Sequence, residues 1–169
     1  MVPIGNPEFP EVNYGFSGGV SYKGFDFSFL FQGATNTSKI MGGKFQKPFD
    51  VNGGILGFTV AERWTPETAE TALRPRLTLN YANPTSYLPS STWARDGSYL
   101  RLRNVEFAYR FDRKLVKKAL GIDGLRVYVN GQNLFTWDNL KFLDPEGSTN
   151  DSWTYPQVKV YNMGLKVDF

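Results

Sequence analysis

The sequence predicts an all-β fold, an antiparallel meander with the layout of a transmembrane β-barrel, and three observations predict it. Aromatic residues make up 16% of the 169 residues, and in several stretches they alternate with polar or small residues, as in a strand with two unlike faces. Each such stretch has about ten residues or more, the length of a tilted strand that crosses a bilayer. Short and long connections alternate along the chain, as in barrels with short periplasmic turns and long extracellular loops.

The first two predicted strands cover about 13–22 and 25–33. Lys23 and Gly24, which separate them, have the length and composition of a two-residue hairpin turn. Such a turn sets the two strands in a fixed register, and in that register their aromatic rows fall on the same face. The members of this face are Tyr14, Phe16, Val20, Tyr22, Phe25, Phe27, Phe29 and Phe31.

The third predicted strand covers about 98–111, and in its second half apolar and polar residues alternate. Leu100 and Leu102 lie out of phase with that alternation. A β-bulge near Arg103 would bring both leucines onto the apolar face, because one extra residue shifts the phase of a strand. The alternative is that the beginning of the strand leaves the apolar layer.

A short helix is predicted next, because Asp112 can cap it and Gly121 can end it. The fourth and fifth strands cover about 125–137 and 157–169. Polar residues opposite the apolar rows are expected to face the lumen of a barrel as wall residues. These residues are Asn104, Glu106, Arg110, Arg126, Tyr128, Asn130, Gln132, Asn162, Lys166 and Asp168.

The two long connections, about 34–97 and 138–156, are predicted to be extracellular loops. Residues 1–169 then form one partial β-barrel domain whose turns at 23–24 and 112–124 face the periplasm. An apolar row that faces lipid needs no protein partner, whereas the same row in water would promote aggregation.

Several motifs, in this order, resemble the C-terminal end of a SusC/RagA-type TonB-dependent outer-membrane transporter. The most specific are RDGSYLRLRNV and, after it, LRVYVNGQNLFTW, followed by DPEG, YPQ and the final YNMGLKVDF. IGNPEFPEVNYGFSGGVSYKGFDFSFLFQG and RWTPE, earlier in the chain, resemble the same family. The resemblance covers nearly the whole chain, while periodicity alone indicates only a barrel-like meander.

The resemblance implies that the chain forms the C-terminal strands of a large plugged barrel in the cell outer membrane. Such transporters import oligosaccharides or peptides with a SusD-like surface lipoprotein, and the TonB complex supplies the energy. Signal peptide, TonB box and plug have no match in the 169 residues, so contact with TonB is expected through a missing N-terminal part. Five strands cannot close a barrel, and this fragment alone is not expected to transport.

Candidate site residues lie in the loops and at the last position. Exposed aromatic rings stack on sugars, so Trp64, Trp93, Trp153 and Tyr155 are candidate ligand contacts, with packing in the loops as the alternative role. Phe169 resembles the terminal aromatic by which the barrel-assembly machinery recognises outer-membrane proteins. No catalytic residue, metal site or cofactor is predicted.

Two other functional classes are alternatives to the transporter. A soluble β-sandwich or small barrel that binds carbohydrate would need further strands, which ILGFTV (55–60) and RLTLNY (76–81) could supply. An enzyme is not expected, since the chain has neither histidine nor cysteine and no recognisable nucleophile elbow. The net charge of +3 is too small to indicate nucleic-acid binding.

Overall fold

The structure, a computed structural model, describes residues 3–49, 53–79, 84–140, 143–147 and 155–169. The chain divides into two compact units. The sheet unit consists of Val12–Thr35, Tyr99–Asp138 and Gln157–Phe169. The loop unit consists of Met1–Glu11, Asn36–Ser98 and Asn139–Pro156.

Strands outnumber helices within the described residues. In chain order, the strands are β1 (Val12–Tyr22), β2 (Phe25–Thr35), β3 (Ser38–Ile40), β4 (Ala94–Asp96), β5 (Tyr99–Arg110), β6 (Gly124–Asp138) and β7 (Val160–Asp168). The α-helices are α1 (Gly57–Glu62) and α2 (Arg113–Leu120). No helix among the described residues has the length and apolar character needed to cross a membrane.

The sheet unit is a five-stranded antiparallel sheet in the order β1-β2-β5-β6-β7. This order is that of a meander, because strands that follow one another within the unit are neighbours in the sheet. Each of the five predicted strands overlaps one strand of this sheet. The sheet confirms the antiparallel arrangement expected from the sequence.

The hairpin predicted at Lys23 and Gly24 is confirmed, with Tyr22 directly opposite Phe25. Both turn residues have positive φ angles, 47° for Lys23 and 90° for Gly24, as a two-residue hairpin turn of the favoured twist requires. The glycine also lies close to a neighbouring strand, because a Cβ at this position would come 2.6 Å from the carbonyl oxygen of Arg110.

The bulge expected near Arg103 is also confirmed. Phe29 lies opposite Val105 while Phe31 lies opposite Leu102, so β5 has one more residue than β2 across this interval. The extra residue places Leu102 on the apolar face, as expected from the alternation of apolar and polar residues along this strand. The pairing of β5 with β6 shifts at the same level.

Helix α2 begins and ends at the predicted residues. The carboxylate of Asp112 accepts hydrogen bonds from the backbone N–H groups of Lys114 (2.8 Å) and Leu115 (3.1 Å). Gly121 ends the helix in the left-handed conformation at φ 72°, and its N–H donates to the carbonyl oxygen of Lys117. Local side-chain chemistry therefore defines the connection between β5 and β6.

The loop unit has a small core of its own in which Met41, Phe45 and Trp93 are buried. Strands β3 and β4 pair beside it over three residues each. One expectation from the sandwich alternative is wrong: within 55–60, the residues from Gly57 onward belong to helix α1, and 76–79 have no regular structure. Residues 80–81 of that segment lie outside the described residues.

Candidate functional site

One face of the sheet unit is apolar and exposed. A row of apolar residues crosses all five strands at one level, from Val20 through Phe27, Phe107 and Val129 to Met163. Met163 is 81% exposed and Val20 is 62% exposed. Water is an unfavourable surrounding for a continuous apolar face of this kind, so the face requires an apolar surrounding.

Contacts between aromatic rings hold the side chains of this apolar face in place. Phe16 stacks on Phe31 with 4.8 Å between ring centroids, and Phe25 contacts Tyr109 at 4.5 Å. Such pairs contribute about 0.5–1.5 kcal/mol beyond the area that they bury. The face is therefore organised by contacts between its own side chains. Other exposed residues of the face are Tyr22, Phe135, Trp137, Tyr161 and Leu165.

The opposite face is polar and carries a charge network. Arg126 donates to Glu106 over 2.6 Å and lies 3.9 Å from Asp26. Asp26 also accepts from the hydroxyl of Ser21 (2.6 Å) and lies 3.4 Å from the guanidinium of Arg110. The network joins β1, β2, β5 and β6, because its members come from all four strands. Charges belong to the face opposite the aromatic rows, as the alternation in the sequence predicted.

A shallow depression lies on the polar face, beside the charge network. Its lining includes Ser28, Asn104, Glu106, Asn130 and Gln132. The amide of Asn162 donates to the side-chain oxygen of Asn130 across the β6–β7 pair, over 3.0 Å. Amide groups both donate and accept hydrogen bonds, so this surface suits a polar polypeptide or a polar solute.

The predicted ligand contacts lie at different depths in the structure. Trp93 is only 2% exposed, and its indole N–H donates to the carbonyl oxygen of Ser86, so it is a core residue of the loop unit. Trp64 is 39% exposed and Tyr155 is 81% exposed. Trp153 lies outside the described residues. Among the described candidates, Trp64 and Tyr155 therefore expose their rings, whereas Trp93 does not.

Arg74, for which the sequence predicted no role, holds the loop unit together. Its side chain is buried, and it donates to the Phe45 carbonyl oxygen at 2.7 Å and to the Glu62 carboxylate at 2.9 Å. Its guanidinium lies over the rings of Phe58 and Trp93, at 5.0 and 5.6 Å from their centroids. A lone arginine in a loop ordinarily indicates a solvated side chain, so no sequence signal pointed to this role.

The turn between β5 and β6 has its own ion pairs. The carboxylate of Asp123 lies 2.8 Å from Lys117 Nζ and 3.3 Å from the guanidinium of Arg113. The hydrogen bonds from Lys117 and then Arg113 lower the pKa of Asp123 below its ordinary value. Exposed Phe169, the predicted assembly signal, follows β7 with 95% of its surface accessible.

Comparison with known proteins gives a consistent result, although no family model matches the chain. TonB-dependent receptor P26 of Formosa agariphila is 34% identical over 99% of the chain, and receptor P3 of the same organism is 30% identical over 98%. TonB-dependent receptor SusC of Bacteroides thetaiotaomicron is 26% identical over 94%. The chain spans 18%, 17% and 15% of these relatives' lengths, respectively.

Solved structures that match the chain indicate the same family as these relatives do. The RagAB peptide importer matches over 95% of the chain and 17% of its own chain, with 27% identity and TM-scores of 0.72 in the open-open state and 0.73 in the closed-closed state. The chain corresponds to a segment of SusC/RagA-type TonB-dependent receptors. The family resemblance seen in the sequence is thereby confirmed.

TonB-dependent receptors are outer-membrane proteins and belong to a class of transporters, not of enzymes. The similarity to a segment of this class agrees with the two unlike faces of the sheet unit. The apolar face suits the acyl chains of the outer membrane, and the polar face suits the interior of a barrel.

Proposed function

We propose that this chain forms the C-terminal barrel portion of a TonB-linked outer-membrane transporter that imports oligosaccharides or peptides. The observation that carries the proposal is the sheet with one exposed aromatic face and one charged face. A tilted strand crosses the apolar layer of a bilayer in about 9–11 residues, and β1 and β2 have 11 residues each.

The connections give the orientation in this proposal. The turn at Lys23 and Gly24 and the α2 connection lie at one end of the strands, and in such barrels short turns face the periplasm. The long segments 36–98 and 139–159 then lie on the extracellular side. Within the described sheet, β1 and β7 are edge strands that each pair with one neighbouring strand. Further strands would therefore complete the barrel wall.

Partners follow from the same proposal. The solved relative is named as the RagAB complex, which supports a SusD-like lipoprotein on the extracellular side of this protein. The TonB complex would act through the N-terminal part of the receptor. Outer-membrane lipid would cover the aromatic face, and the barrel-assembly machinery would recognise the exposed ring of Phe169.

Substrate contact is proposed for the loop unit. Trp64 and Tyr155 expose aromatic rings that can stack on a sugar ring or on the side chains of a peptide. Trp153, predicted from the sequence, remains part of the proposal. RagAB is named as a peptide importer, and SusC is a further related receptor. Direct binding measurements should therefore compare oligosaccharides with peptides.

An immunoblot of fractionated source cells, with an antibody against residues 98–169, tests the proposal. We expect a band several times heavier than 19.1 kDa in the outer-membrane fraction, with a mobility that changes when the sample is heated before electrophoresis. Heating unfolds a closed barrel, and the unfolded chain migrates differently. A band of 19 kDa in the soluble fraction would contradict the proposal and favour the soluble carbohydrate-binding alternative.

A further inference from the structure

Helix α2 has a side that the described residues leave uncovered. Val116 is buried at 5% exposure and attaches the helix to the sheet unit, whereas Leu115 is 69% exposed. Lys114 and Lys118 are exposed, and their ammonium groups make no hydrogen bond or ion pair with a described residue. The uncovered side therefore combines one large apolar side chain with two cations.

The orientation of this side follows from the ion pairs of α2. Arg113, which pairs with Asp123, lines a depression at the end of the sheet. Residues of both faces line this depression, Arg126 and Lys166 from the polar face and Phe111 and Leu125 from the apolar face. Successive helical residues are about 100° apart, so Leu115 lies about 200° around the helix from Arg113. Leu115 consequently points away from Arg113 and from its ion pair with Asp123.

The level of α2 along the strands is fixed by its first turn. Phe111 lies at the end of the apolar face, where its ring contacts Tyr109 with 4.8 Å between centroids. Asp112, the helix cap, is the next residue. The helix thus begins where the apolar face ends, which is the level of the lipid headgroups around a barrel.

We infer that α2 rests on anionic phospholipid headgroups of the leaflet that surrounds the short-turn end of the sheet. Leu115 enters the boundary of the acyl chains, and Lys114 and Lys118 bind lipid phosphates. The helix contains four cations and no carboxylate, and among the described residues Asp123 forms ion pairs with Arg113 and Lys117 alone. The two remaining lysines therefore complement a negative surface. This inference rests on the proposed function for the presence of lipid around the sheet.

Fluorescence quenching tests the inference in the receptor that carries this chain, reconstituted into bilayers. The chain has no cysteine, so A119C places a fluorescent label beside Leu115 on the uncovered side, once cysteines elsewhere in the receptor are removed. Phospholipids with a spin label near the headgroup are the quencher. We expect stronger quenching in bilayers that contain phosphatidylglycerol than in pure phosphatidylcholine.

Charge reversal provides the matched variant. A lysine near an anionic surface contributes roughly a fivefold change in occupancy, so K114E/K118E should lower the phosphatidylglycerol-dependent part of the quenching by about tenfold or more. The control R76E/K159E makes the same change of charge at two exposed cations outside α2 and should leave the quenching unchanged. Equal quenching in both kinds of bilayer would overturn the role of the anionic headgroup.

A label on the sheet separates this inference from the proposed function. M163C lies on the apolar face and should be quenched by a spin label deeper in the acyl chains. Quenching at M163C without quenching at A119C would overturn the inference about α2 alone. Absence of quenching at both sites would contradict the proposed membrane sheet itself. Shielding of A119C from aqueous iodide without lipid quenching would indicate a protein on α2 and overturn the lipid assignment.

Discussion

At the scale of single residues, a buried charge contributes more to the structure of the loop unit than its exposed aromatic rings do. Arg74 connects three segments of the unit through Phe45, Glu62 and Trp93. Removing one partner of a buried hydrogen-bonded pair is destabilising because the other groups lose their hydrogen bonds in a site with little water. The backbone carbonyl oxygen of Arg74 also accepts a hydrogen bond from the N–H of Trp64 (2.9 Å), one of the residues proposed to contact substrate.

We expect Arg74→Met to destabilise the loop unit by about 2–3 kcal/mol, since the Phe45 carbonyl and the Glu62 carboxylate lose a charged donor. Limited proteolysis of the receptor in detergent measures the effect as faster cleavage within 36–98. Arg76→Met is the matched control, because Arg76 is exposed and lies two residues away. Equal cleavage rates for the two variants would show that Arg74 does not hold the unit together.

Trp64→Ala and Tyr155→Ala should each weaken substrate binding by a few-fold to about tenfold, because each removes one exposed aromatic surface. Calorimetric titration with candidate oligosaccharides and peptides measures this and identifies the chemical class. Leu79→Ala removes an exposed side chain of the loop unit that has no ring and serves as control. Unchanged affinity in both aromatic variants would remove these residues from the proposed site.

Asp123 gives the turn of α2 a dependence on pH. Its carboxylate has a lowered pKa in the folded state, so its ion pairs stabilise the turn above the ordinary value of 3.8 and lose this effect as the pH falls through the lowered value. We expect Asp123→Asn to be less stable than the parent at neutral pH and to approach it in acid. Unfolding temperatures from pH 7 to 3 measure the gap, and a constant gap would contradict the assignment.

At the scale of elements, the two turns at one end of the sheet differ in what their glycines contribute. Gly24 and Gly121 both have positive φ angles, 90° and 72°. A Cβ at Gly24 would come 2.6 Å from the Arg110 carbonyl oxygen, whereas a Cβ at Gly121 would meet nothing within 4 Å. Alanine substitutions at these two glycines therefore distinguish the effect of backbone strain from that of steric overlap.

Gly24→Ala should lower the stability of the assembled barrel more than Gly121→Ala does. Both variants incur the cost of a positive φ angle, about 1 kcal/mol, and only Gly24→Ala adds a backbone clash across the sheet. The temperature at which the folded band disappears on electrophoresis measures both. A larger loss for Gly121→Ala would mean that the Arg110 contact relaxes without cost.

Elements were also the level at which the sequence was most informative. Strict alternation and a two-residue turn determined the hairpin register, because sheet geometry allows few alternatives. The phase of Leu102 indicated either a bulge near Arg103 or a departure from the apolar layer, and the structure has the bulge. Helix α1 and the role of Arg74 were not predicted. Both depend on contacts between segments far apart in sequence, which local periodicity does not report.

At the scale of the whole molecule, the exposed face and the open edges of the sheet predict how the isolated chain behaves. Without further strands and lipid, β1 and β7 present unpaired backbone groups, and Met163 and Val20 face water. We expect the isolated 169-residue chain to form oligomers in aqueous buffer and to disperse in detergent. Sedimentation velocity measures this, and a monodisperse monomer without detergent would favour the soluble sandwich.

The pairing of β2 with β5 has a consequence for how the protein folds. The β1–β2 hairpin joins neighbours in sequence, whereas β2 and β5 meet across the roughly 60 residues of Asn36–Ser98. Closing a longer loop adds little to the free energy, about 0.6 kcal/mol per doubling of its length, but it slows the search for the partner strand. We therefore expect the β1–β2 and β5–β6 pairs to form early and the pairing of β2 with β5 to be the slow step. The folding rate of the sheet then depends on the slowest pairing and not on the number of strands.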